Sequence, residues 1–452
     1  MTGIGPLHGA RAGSDEVTRS LKRIPARAVA VFAALCVAAL FCGGAPARAD
    51  MVCASTSSQG LVCLDSTGFK QYTKRSGHLP EDRIADMAVC GETMFIAAGE
   101  ATVTFDGGRF DIPVKVGRGL VERISCHPGG GLWAASQTAL SFWDKSGWKH
   151  YDLAAIASGA GRNLRVRGLA AGPEGTVWAT LGEGAVLHFN GREWRLFRQG
   201  QGFRLKHDFG RLIVDREGQV WLPFAKGLYT WKADKWETMR GLAAANFISA
   251  DDKNRLWLTS GARVAVVDDG RMREIPTDHN TRSVAADTSG IVWAATEFGL
   301  ARYSGTAWES RQMDNSDIAD NDLMLVVTLG RGPALPPVIS QARGRLVGKA
   351  EWSDNKPIAE ADVQVCGVRA FDFGIGKGPC DDKPLVGQGT TNADGAFTFK
   401  ALAPGNYHFV IRPKGAKRWI RFATDPDRLK VRPGQDRDAG TITIDAKQRE
   451  AK

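Results

Sequence analysis

The chain has no apolar run long enough to cross a bilayer. Its longest, Ala28–Phe41, covers about 14 residues, where a spanning helix needs about 20. No segment carries sustained helical periodicity, which argues against a helical bundle. The signature loops of common catalysts are missing as well. There is no P-loop, no Gly-x-Ser-x-Gly, no His-Glu-x-x-His and no EF-hand loop. No Cys-x-x-Cys pair occurs, so neither a metal site nor a cofactor is expected.

The short apolar run has another use. Lys22, Arg23 and Arg27 precede it, and Ala47-Arg48-Ala49 follows as a small-x-small cleavage site. This is the layout of a secretory signal, so residues 1–49 read as a signal peptide and Asp50 as the mature start. The formal net charge is +10. The leader carries four of those net positive charges, and what remains is too mild to imply nucleic acid. The expected location is periplasmic or secreted. Cys36 and Cys42 leave with the leader. Six cysteines then remain, an even number suited to an oxidising compartment. Cys53 and Cys63 sit symmetrically about position 58 in a hairpin, Cys90 and Cys126 end the first strands of adjacent repeats, and Cys366 and Cys380 flank a Gly-rich loop. Those three pairs are the expected disulfides, although six cysteines allow 15 connectivities.

What is abundant is tryptophan at a fixed period. Trp133, Trp178, Trp221, Trp257 and Trp293 recur at intervals of 45, 43, 36 and 36 residues. Phe95 and Cys53 extend the series backwards to seven copies. A four-stranded propeller blade occupies roughly 40–45 residues. Trp194, Trp236 and Trp308 give the repeats a second fixed point. In residues 169–197, strands are expected at Leu169–Ala171, Thr176–Thr180, Ala185–Phe189 and Trp194–Phe197, with Asn190-Gly191 as a hairpin turn. The tryptophans should wedge between neighbouring sheets. The first copy lacks its inner strand. Leu323–Leu329, in a stretch similar to residues 79–91, is expected to supply it and close the ring.

The repeats at 215–231 (DREGQVWLPFAKGLYTW) and 287–303 (DTSGIVWAATEFGLARY) resemble the two-component-regulator propeller family. The family resemblance implies an extracytoplasmic sensing propeller, usually fused to a membrane histidine kinase. Neither a spanning segment nor a kinase follows here, so the resemblance carries over as a binding or docking module.

Residues 332–340 read as a Pro-rich linker. Beyond it the tryptophan period stops, and 341–446 read as a small β-sandwich with a polar tail at 447–452. The stretches 344–367 and 390–413 resemble the carboxypeptidase-regulatory-like, transthyretin-like domain, whose signature is matched from Asp394 to Tyr407. That resemblance implies a non-catalytic module. The expected architecture is thus all-β: a seven-bladed propeller over 50–331, then the sandwich. The insert at 371–384 reads as a long surface loop, and the basic residues around Trp419 as a solvated edge.

By repeat symmetry, the connections from each outer strand to the next inner strand should share one face. They are rich in arginine and poor in acids. Arg118, Arg165, Arg167, Arg204, Arg211 and Arg282 are the candidate ligand-binding residues, because a cleft of one sign concentrates ligands of the other. The expected ligand is a glycan or an envelope or secreted protein, with an anionic group a natural fit. The alternative is a lyase or hydrolase acting on a polysaccharide or cyclic ester. It would use His78, His207 and His279, which fall in connections of the same class.

Overall fold

The computed structural model describes residues 50–111, 113–198, 200, 209–240, 244–367, 379–380, 386–422 and 429–450. Between Met51 and Leu329 it forms four-stranded antiparallel sheets one after another, seven among the described residues. Repeated sheets of this kind, with hardly any helix, are the construction of a β-propeller. The first strands of successive sheets touch in chain order, and the last of them returns to the first.

The ring closes through Leu323–Leu329. This strand pairs antiparallel with Met51–Thr56, setting Cys53 opposite Val327 and Ala54 opposite Val326. The expected closure is observed, and it hides an edge that would otherwise be open to pairing with other chains. In the fourth sheet the strands are Val166–Ala171, Val177–Leu181, Val186–Phe189 and Trp194–Phe197. The sequence reading is short by three residues at the start of the first, because Val166 pairs with Leu181 and Gly168 with Thr180 around a bulge at Arg167 that breaks the alternation. One unforeseen helical turn, Leu153–Ile156, fills the connection after the third sheet and is capped by the Asp152 side chain.

The repeating motif has a chemical reason. Asp215, Asp251 and Asp287 each stand six residues before a tryptophan. One carboxylate oxygen accepts from the indole N–H, at 2.7 Å for Trp221, 2.9 Å for Trp257 and 3.3 Å for Trp293. The other accepts amides of the intervening turn, such as Gln219 N, Arg255 N and Ile291 N. One acid therefore fixes both the turn and the buried ring. Burial alone would raise Asp251 and Asp287, yet these hydrogen bonds hold both below the ordinary carboxylate value. Where His127 occupies this position, the indole N–H of Trp133 is buried with no partner.

The tryptophans pack between sheets as expected. Trp133 meets Trp194 of the next sheet edge-on, and Trp178 meets Trp231 and Trp236. Truncating one such ring to alanine would cost about 3–5 kcal/mol. Residues after Arg331 follow the surface of the seventh sheet. Gly332 donates to Asp287 at 2.8 Å, and a Cβ there would strike the Trp293 ring, so only glycine allows this approach. Ile339 N donates to Asn315 O at 2.9 Å.

The C-terminal region places Ala396–Leu402, Gly344–Trp352 and Arg437–Ile444 in one sheet, and Gly387–Thr390, Asp362–Cys366, His408–Arg412 and Ile420–Arg421 in another. Leu346, Ala350, Val363, Val365, Phe397, Phe399, Phe409 and Ile442 share one core. Lys430 and Asn406 of this region both reach Asp320 of the ring. The Lys430–Asp320 pair is 3.0 Å apart and almost wholly buried. Ala446–Glu450, which runs from the last residue of the expected sandwich into the expected tail at 447–452, forms a short 3-10 turn, with Arg449 paired to Asp354 at 2.9 Å. The insert at 371–384 lies outside the described residues except for Pro379 and Cys380.

All three expected disulfides are present: Cys53–Cys63, Cys90–Cys126 and Cys366–Cys380. Cys53 and Cys63 lie directly opposite in register. Cys90–Cys126 ties the second sheet to the third. Closed disulfides are the mark of a protein that folds in an oxidising compartment, and so of an exported one.

Candidate functional site

A cavity of about 1070 Å³ opens where the connections and inner strands converge. All seven sheets or their lead-in segments contribute to its lining. Six arginines line it: Arg83, Arg123, Arg165, Arg167, Arg211 and Arg282. Two acids, Glu81 and Glu122, line it with them. Apolar lining comes from Leu120, Phe209, Phe247 and Met324, among others.

Three of the arginines are neutralised. Arg165 Nε donates to Glu122 Oε2 at 3.0 Å. Arg211 Nη1 donates to Asp86 Oδ1 at 2.9 Å and its guanidinium lies over the Phe247 ring. Arg282 pairs with Asp322 at 2.6 Å. Burial raises Asp322 above the ordinary carboxylate range, with Arg282 opposing it.

Among the described residues the other three have no carboxylate partner. Arg123 donates to main-chain carbonyls, Nε to Arg167 O at 2.7 Å and Nη1 to Glu122 O at 2.5 Å. Burial pushes its guanidinium below the ordinary value. The field of Asp86 opposes that shift, while Arg211 and Arg165 add to it. Arg167 has no ion pair among the described residues, and its Nε is buried without an acceptor. Arg83 stands exposed at the mouth, also without an ion pair among the described residues. The remaining lining acid, Glu81, is already paired with Lys74 at 2.8 Å. The cavity therefore holds an excess of fixed positive charge in a partly dry setting, where an anion is bound more strongly than in water.

Four of the six expected arginines line the cavity: Arg165, Arg167, Arg211 and Arg282. Arg118 does not. It stands exposed beyond the rim, where its carbonyl accepts from Thr138. Arg204 lies outside the described residues. Arg83 and Arg123 were not among the candidates. Arg83 precedes an inner strand just as Arg165 and Arg211 do, so alignment of the repeats could have found it.

Two of the candidate catalytic histidines, His78 and His279, lie away from the cavity. His78 packs against Tyr72 and Phe110 and bonds Ser76 at 2.8 Å. His279 stacks on Phe298, with a separate small recess beside it. Burial depresses its basicity, although Asp278 and Glu297 partly restore it. Neither histidine lines the cavity, and His207 lies outside the described residues. Among the described residues no group of three or more His, Cys, Asp or Glu could hold a metal, and no helix is long and apolar enough to cross a membrane.

No protein-family model matches the sequence, and no curated protein matches it. Solved structures do resemble the fold. The extracellular domain of a hybrid two component system from B. thetaiotaomicron aligns over 87% of this chain and 55% of its own, at 14% identity and a TM-score of 0.45. PorZ, a surface component of the type-IX secretion system of Porphyromonas gingivalis, aligns over 81% of this chain and 63% of its own, at 14% identity and TM-score 0.43. Virginiamycin B lyase from Staphylococcus aureus aligns over 51% of this chain and 84% of its own, at 12% identity and TM-score 0.43. At such identities the likeness concerns the fold alone.

Proposed function

We propose that the chain is an exported, non-enzymatic binding protein. In this reading a seven-bladed propeller over 50–331 carries the ligand site at its channel mouth. A transthyretin-like sandwich over 341–446 follows as a packed, non-catalytic module. The ligand is an anionic glycan or an acidic segment of an envelope or secreted protein. One observation carries the proposal: Arg83, Arg123 and Arg167 share a cavity and have no carboxylate partner among the described residues, while the other lining arginines are paired. Arginine donors suit carboxylate and sulfate groups, which accept two hydrogen bonds at once. The lyase alternative draws no support from His78 or His279, because neither lines the cavity.

Titration calorimetry with polygalacturonate and with neutral dextran tests this. The acidic polymer should bind, weaken as salt is raised, and weaken further in Arg83→Gln/Arg167→Gln. Equal binding of both polymers, or binding of neither, would discard the proposal.

A further inference from the structure

The charge excess does not describe the whole cavity. Large apolar side chains left in solvent are few among the described residues, and two of them line this mouth: Leu120 at 55% exposure and Met324 at 37%. Leu120 lies in the segment leading to the third sheet, where Val121 N bonds Gly99 O of the second sheet. Met324 lies on the closing strand of the first sheet. Arg83, exposed and without an ion pair among the described residues, leads into the second sheet. Two apolar side chains and an uncompensated guanidinium thus come from neighbouring positions around the ring. Behind them, Phe209 and Phe247 add apolar wall.

Leaving these side chains wet is unfavourable, and a ligand that covered them would take that apolar surface out of water. Charge recognition by the arginines alone would leave these side chains uncovered. Arginine beside exposed leucine and methionine instead matches a molecule that is charged at one end and apolar along its body.

We infer that the cavity binds an amphipathic organic anion, with its carboxylate or sulfate at the arginines and an apolar or aromatic body against Leu120 and Met324. This rests on the anion-binding reading above and adds the second half of the recognition.

Three probes separate the two halves: para-nitrophenyl glucuronide, with charge and an aryl body; para-nitrophenyl glucoside, with the body alone; and glucuronate, with the charge alone. The aryl glucuronide should bind at least about tenfold more tightly than either. Leu120→Ser/Met324→Gln changes two exposed side chains, and the glutamine keeps an acceptor for Arg282 Nη1, which donates to Met324 Sδ. The double variant should lower aryl glucuronide affinity about tenfold and leave glucuronate affinity unchanged. Circular dichroism would verify that the fold is retained. If glucuronate binds as tightly as the aryl glucuronide, or the double variant binds the latter unchanged, the apolar half of the inference fails and the anion reading stands. If the neutral glucoside binds as tightly as the glucuronide, the anion reading itself fails. If none of the three binds saturably, both fail.

Discussion

Asp86 and Arg211 are 125 residues apart in sequence and 2.9 Å apart in space. Asp86 comes from the second sheet. Arg211 comes from the lead-in to the fifth, so the pair reaches across the ring and not along it. Asp86 also accepts from the amides of Met87 and Ile124, which makes it a hub for two adjacent inner strands.

Removing that hub should be costly. Asp86→Ala leaves Arg211 without its buried partner and two amides without an acceptor. Loss of about 3 kcal/mol is expected in urea unfolding, while Asp86→Leu/Arg211→Met should recover part of it. Unchanged unfolding of Asp86→Ala would mean that the pair contributes nothing to stability.

A second buried pair joins the C-terminal region to the ring. Lys430→Met leaves the buried Asp320 carboxylate with neutral donors, Asn406 and the Asp322 amide, and without its cation, and about 3–5 kcal/mol should be lost. The Pro-rich segment around 332–340 should then be cut faster in limited proteolysis, because it connects the two regions that the pair joins. Lys430→Met/Asp320→Leu should restore resistance. A cleavage rate unaffected by Lys430→Met would contradict this account of how the regions dock.

Stability should fall in acid in two stages. His188 stacks flat on Trp178 at 3.8 Å, and burial, with Arg195 adding to it, lowers its pKa to about 4. The unfolded chain therefore takes up a proton before the folded one does. The stabilisation is full above the unfolded value of 6.5 and is lost as pH falls through the folded one. About 1–2 kcal/mol is expected, allowing for solvent screening of a half-buried ring. Asp251 and Asp287, held below 3.8, lose their contribution only at lower pH. His188→Phe keeps the stacking and should flatten the Tm profile between pH 7 and 4. A profile as steep as that of the unsubstituted protein would assign the slope to other groups.

The Cys90–Cys126 bridge closes a separation of 36 residues. Cys90→Ser/Cys126→Ser should lose roughly 3–4 kcal/mol by the chain-entropy argument. Thiol titration of the denatured, unreduced protein should find no free cysteine among the six. A free thiol there would contradict the pairing.

Much of the fold was legible in the residues. The tryptophan spacing marked the second strand of each later sheet, and the sequence likeness of 79–91 to 318–330 foretold the closing strand. Both follow from local rules: one Asp six residues before a Trp builds the same turn each time. Register also follows, since alternation fixes which side chains face inward. The cysteine pairs were legible on separate grounds: a hairpin sets Cys53 opposite Cys63, repeat position places Cys90 and Cys126 at matching strand ends, and Cys366 and Cys380 flank one loop.

The site was legible only in outline. Composition identified arginine-rich connections. It could not tell Arg118, which stands outside, from Arg83, which lines the cavity, because that depends on where each connection turns. Nor could it separate paired from unpaired guanidiniums. Asp86 is near no arginine of the fifth sheet in sequence, and only ring closure brings Arg211 to it. The sequence alone determined the repeating sheets, because strand alternation and turn residues act locally and recur in each repeat. The tertiary structure decided which charges remain uncompensated at the mouth, because that balance is struck between residues from different sheets.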